Sequence, residues 1–147
     1  MTTLGFTDVH DAITTKMNTL TGFKQSRYPV EFFSRTTNPL SHLGYSVSIN
    51  SSGSGGRQRY NSGAGVAMLS LVSIIFAYRL RPTDVYPTDY KAGLQKEQEV
   101  ILKLLSNYSG IKPSMEISFI NSDRTYPDSL EYSIHTLTFN VLHYIKE

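Results

Sequence analysis

The side chains able to do chemistry are few and widely scattered. The histidines are His10, His42, His135 and His143. His135 and His143 have the same parity on one alternating stretch, and at about 3.4 Å per strand residue they lie roughly 27 Å apart, beyond the reach of a shared metal. His10 and His42 have no carboxylate or second histidine at ligand spacing. The chain has no cysteine, which excludes thiolate zinc sites, disulfides and cysteine nucleophiles. Serines are plentiful, but none sits in a Gly-x-Ser-x-Gly elbow ahead of a helix, and Gly63-Ala64-Gly65 is no nucleophile context. Glu97 and Glu99 point to different sides of a helix. Asp84 and Asp89 flank that helix's start, where capping accounts for them. The expectation is a protein that is not an enzyme, with no catalytic residue, no cofactor-binding residue and no metal ligand.

One glycine-rich stretch, Ser51–Gly65, has to be weighed as a phosphate cradle. It lacks the closing Gly-Lys-Ser/Thr and runs into a strand instead of a helix, so that reading fails. Its notable feature is charge. Arg57 and Arg59 stand in a run from Ser51 to Leu80 that contains no acid. This local cationic finger is either a solvated loop, a contact for an acidic protein surface, or a sequence-blind contact for DNA phosphates. The whole chain, with 14 basic and 12 acidic residues and a net charge of +2, is too weakly basic to bind nucleic acid over its general surface.

The elements that must carry these residues are legible in the periodicity. Val9, Ile13, Met17 and Leu20 recur at helical spacing, with Thr7 as N-cap and Gly22 as stop, which predicts a helix over 8–20. Residues 23–41, with Pro29, Pro39 and the aromatics Phe23, Tyr28, Phe32 and Phe33, read as an irregular, partly extended arm whose aromatics are covered by the chain's own core or by a neighbouring subunit. Leu43, Tyr45, Val47 and Ile49 alternate as a strand, Ser51–Gly65 is a hairpin loop, and Val66–Leu80 is a strand apolar on both faces. A second helix is expected over 89–108, its face marked by Tyr90, Leu94, Glu97, Ile101, Leu104 and Tyr108, widened by Val100 and Leu105. Met115, Ile117 and Phe119 begin a third strand, 121–129 is turn chemistry, and Leu130–Ile145 is a long fourth strand. The order α-β-β-α-β-β predicts one α+β domain over 1–147, a mainly antiparallel sheet with two helices packed on one face and a long Gly-rich hairpin loop. The 147 residues suit one core. No basic start followed by an apolar run marks a signal peptide, and Val66–Tyr78 is too short to span a membrane as a helix.

This layout resembles the tail-terminator, or tail-completion, proteins of long-tailed bacteriophages. The likeness runs from about Phe6 to Ile145. Its most similar passages are the final strand, Leu130-Glu-Tyr-Ser-Ile-His-Thr-Leu-Thr-Phe-Asn-Val-Leu-His-Tyr144, and the step from Ile74–Leu80 into Lys96–Leu105. The resemblance implies a virion protein, assembled in the host cytoplasm, that forms a ring, usually of six subunits. Such a ring caps the tail tube, stops its polymerisation and meets the head connector, with DNA passing through its lumen. The implied partners are other copies of the chain, the tail tube protein, connector and neck proteins, and DNA without sequence preference. Phe139, Val141 and Ile145 of the final strand are then candidate interface residues, and Arg57 and Arg59 candidate partner or DNA contacts. Two other readings stand beside it: a head-completion or connector-joining protein of the phage neck, and a small ligand-binding α+β domain.

Overall fold

Helix α1 spans Phe6–Asn18. It starts earlier than Thr7 suggested, because Gly5 is the N-cap and its N–H donates to the Asp8 carboxylate at 3.0 Å. That bond satisfies one of the donors a helix start leaves open. Val9, Ile13 and Met17 form the buried face, as their spacing requires. The chain then turns through Gly22, whose φ of +88° is costly for other residues. Residues 5–26, 42–54, 66–81, 86–105, 116–125 and 132–145 are described by this computed structural model.

The expected irregular arm begins with a strand. Lys24–Gln25 (β1) pairs in parallel with Gly44–Tyr45 at the start of β2, Gly44–Ser54. Two residues give no periodicity to read, so this strand has no sequence signal of its own. Phe23 just ahead of it lies in the chain's own core, its ring edge-on to Phe76 at 5.2 Å and to Tyr45 at 6.3 Å. Tyr28, Phe32 and Phe33 lie outside the described residues. β2 runs antiparallel to β3, Val66–Arg79, with a register shift between Ile49 and Ser51. It continues to Ser54, further than the alternation of 43–49 indicated.

Helix α2 spans Tyr86–Leu105. Its most buried line is Asp89, Gly93, Glu97, Val100 and Leu104. Of the expected face, Glu97, Val100 and Leu104 are buried, while Tyr90, Leu94 and Ile101 are only half-buried. The buried places of Asp89 and Gly93 are ones that apolar spacing does not register. β4 spans Glu116–Thr125 and β5 Tyr132–Ile145. The turn-like residues 121–125 are therefore strand. β4 pairs with β5 from Glu116↔Leu142 to Thr125↔Ile134, with a bulge between Phe119 and Asn121. Cross-strand pairing outweighs local turn preference here.

The sheet order is β1-β2-β3-β5-β4, antiparallel except for β1. The fold is thus α+β, with two helices among the described residues. Alternation assigns the faces: Ile74, Val72 and Phe76 of β3 and Leu137, Phe139 and Val141 of β5 share one buried cluster with α1 and with Val100 and Leu104 of α2. On the opposite face Ile75, Ala77 and Ile134 form a smaller buried cluster.

Candidate functional site

The helix-facing side of β5 carries polar residues at both ends of an apolar middle. At one end, Ser133 and His135 are two residues apart and so share a face. Ser133 Oγ lies 2.8 Å from His135 Nε2, and His135 Nδ1 lies 3.4 Å from Oε2 of Glu97 on α2. Arg124 of β4 donates Nε–H to the same Oε2 at 2.7 Å. His135 stacks flat on Phe76, with ring centroids 4.7 Å apart. A Cβ on Gly93 would come within 3.0 Å of His135 Nε2, so only glycine leaves the helix this close to the ring.

These residues form a serine-histidine-glutamate chain, the order in which a hydrolase activates a nucleophile. Their surroundings do not suit that task. Ser133 and His135 are each 1% exposed and Glu97 2%, which leaves no approach for a substrate to Ser133 Oγ. The Arg124 bond also commits the Glu97 oxygen that faces His135. At 3.4 Å the histidine–glutamate approach is looser than a well-formed hydrogen bond, and Glu97 Oε1 and His135 Nδ1 have no hydrogen-bond partner among the described residues. Burial acts to raise the Glu97 carboxyl, but the pull of His135 and Arg124 prevails and holds it below the usual carboxylate range.

At the other end of β5, buried His143 Nε2 lies 2.7 Å from Ser70 Oγ, which lies 2.8 Å from Ser52 Oγ. Phe6 of α1 meets the His143 ring edge-on at 5.5 Å. His135 and His143 therefore belong to separate polar clusters, tied to different helices. A third polar link closes the β3–α2 junction. Asp89 accepts from the Arg81 backbone N–H at 2.8 Å and from Nε and Nη2 at 3.2 and 2.9 Å. The Arg81 hydrogen bonds hold the Asp89 carboxyl below its ordinary range. Asp89 is thus the buried side of an ion pair whose arginine is exposed, where the sequence suggested a capping residue.

The surface offers a different kind of site. β4 is an edge strand, and its outer backbone groups meet no partner among the described residues. It exposes Phe119 and, at the bulge, Ile120, which is 44% exposed. On the sheet face away from the helices, Leu69 and Tyr144 are exposed beside half-buried Leu71 and Leu142, with Leu69 opposite Leu142 and Ala67 opposite Tyr144. Edges and apolar faces of this kind are where subunits join.

The predicted interface residues fall elsewhere. Phe139 and Val141 are fully buried in the core, and Ile145 is half-buried opposite Val66. β5 is paired on both sides within the chain, so its backbone has no free ladder to offer a neighbour, contrary to what its length suggested. Arg57 and Arg59 lie outside the described residues. Among the described residues, no helix is long and apolar enough to cross a membrane.

The chain matches no known family model and no curated protein. The Glu97 cluster could have been suspected from Ser133-x-His135 sharing parity on a strand, and from Gly93 and Glu97 sharing a helix face. Nothing in the sequence says that the two faces meet.

Proposed function

We propose that this chain is a structural virion subunit that assembles with copies of itself into a ring, capping a phage tail tube and joining it to the head connector, and that it works without catalysis. The observation that carries this reading is the ten-residue edge strand β4, Glu116–Thr125, with its outer ladder open and Phe119 and Ile120 exposed on it. A strand edge of that length is a ready template for pairing with another chain. The α+β layout, with an N-terminal helix, a long β2–β3 hairpin, a second helix and a final β4–β5 hairpin, is the one the tail-terminator resemblance implies. The burial of Ser133, His135 and Glu97 supports a structural role for this relay-like cluster. Arg57 and Arg59, repeated by ring symmetry, would concentrate positive charge toward the tube, the connector or DNA in the lumen.

Light scattering coupled to size-exclusion chromatography tests the reading. A ring mass, expected near six subunits, supports it, and a strict monomer at every concentration would overturn it. In assembling particles, Arg57→Glu with Arg59→Glu should leave the subunit folded yet give abnormal tail lengths, unjoined heads and tails, or lost DNA. Normal infectious particles would remove these arginines from the function.

A further inference from the structure

Beyond its bulge, β4 is weakly fastened. From Asn121 to Thr125 no side chain is buried, and Ser122 alone is half-buried. In the first half, by contrast, Ile117 is buried and Phe119 packs edge-on to Phe139 at 5.5 Å. Among the described residues, what the outer half has apart from its ladder with β5 is Arg124. Its guanidinium reaches the buried Glu97 carboxylate of α2 at 2.7 Å. We propose that Glu97 is a latch that holds the outer half of β4 to the body of the domain, and that protonation of this carboxylate releases it.

The geometry makes the latch one-sided. Glu97 is 3% exposed at its side chain and Arg124 is 36% exposed. When the pair breaks, Arg124 can turn to water, whereas Glu97 stays buried beside His135. A neutral Glu97 has no charge to hold the guanidinium, and the strand end then has only its ladder bonds. The charged or titratable groups facing Glu97 are Arg124 from β4 and the His135 ring from β5; from β3, Phe76 stacks on His135 and carries no charge. The sign follows from the cluster. A carboxyl held low in the folded state adds stability above its ordinary value of 4.5, and that stability is lost as the pH falls through the lowered folded value. Since β5 remains paired to β3 over its full length, release frees the edge without dissolving the centre of the sheet.

Hydrogen exchange followed by mass spectrometry, corrected for the intrinsic pH dependence of amide exchange, reads the latch directly. In the wild-type chain, amides of 121–125 bonded to β5 should be protected at pH 7. They should exchange about ten- to a hundred-fold faster once Glu97 is protonated, the loss expected for one hydrogen bond to a charged group. Glu97→Gln and Arg124→Gln should each show the fast exchange already at pH 7 and no acid step, while the β3–β5 centre stays protected. Arg124→Gln, at the exposed partner, carries the test if Glu97→Gln does not fold. Wild-type protection of 121–125 in Arg124→Gln, an acid step that persists in it, or loss of protection in all strands together would each overturn the latch.

Discussion

Gly93 shows how one atom can decide whether a helix can dock. Replacing a helix-interior glycine with alanine ordinarily gains about 1 kcal/mol. Here the added Cβ would lie 3.0 Å from His135 Nε2 and 3.2 Å from Cε1. His135 has nowhere to retreat, with Phe76 stacked on its face, Ser133 at 2.8 Å and Glu97 at 3.4 Å. Overpacking of this kind costs about 1–3 kcal/mol, so the steric term should win. Gly93→Ala is expected to lower stability by about 1 kcal/mol net, measured as a drop in the urea midpoint. A rise would mean that α2 shifts away from β5 at little cost. Gly93 was legible as a glycine in a helix, but its partner was not, because His135 comes from a strand distant in sequence.

At the scale of elements, what the sequence hid was pairing. The faces of α1, β3 and β5 were readable because apolar residues repeat along them, at three to four residues in α1 and alternately in β5. The outer half of β4 was not, since Asn121, Ser122 and Asp123 have turn preferences and adopt a strand only because β5 lies alongside. The Glu97 cluster was hidden for the same reason: it joins α2, β4 and β5, and no spacing within one element encodes it. The central place of β5 changes what its mutants should do. Phe139→Asp or Val141→Asp buries an unpaired charge among core side chains, at a cost of more than about 4 kcal/mol, a large part of a typical domain's stability. Circular dichroism should show both variants largely unfolded, while Ile145→Asp, at a half-buried position, should stay folded. A folded Val141→Asp would mean that the strand can slip its register.

For the molecule as a whole, the open edge of the sheet carries Phe119 and Ile120, the face away from the helices carries Leu69 and Tyr144, and the polar clusters lie inside. This separation allows assembly to be perturbed without disturbing the fold. Ile120→Lys places a charge on the open edge at a residue that is already 44% exposed. Surface substitutions of this kind change stability by within about 0.5 kcal/mol, so the thermal midpoint should hardly move. The oligomer mass should fall toward that of the single chain, read by light scattering. An unchanged mass would place the subunit interface elsewhere, the apolar face around Leu69 and Tyr144 being the next surface to test.

The central strand pair joins distant parts of the chain: Val66 lies opposite Ile145 and Arg79 opposite Tyr132. During synthesis β3, the most apolar strand, leaves the ribosome well before the strand that covers its inner edge. Until β5 emerges, the nascent chain can form a helix and the β2–β3 hairpin but cannot complete its sheet, and loop-closure entropy slows the step that follows. Throughout that interval Val72, Ile74 and Phe76 present an unpaired apolar edge, the kind of surface that aggregates or recruits chaperones. The yield of this protein in a cell should therefore depend more on how fast translation covers the stretch from β3 to β5 than on the final stability of the fold.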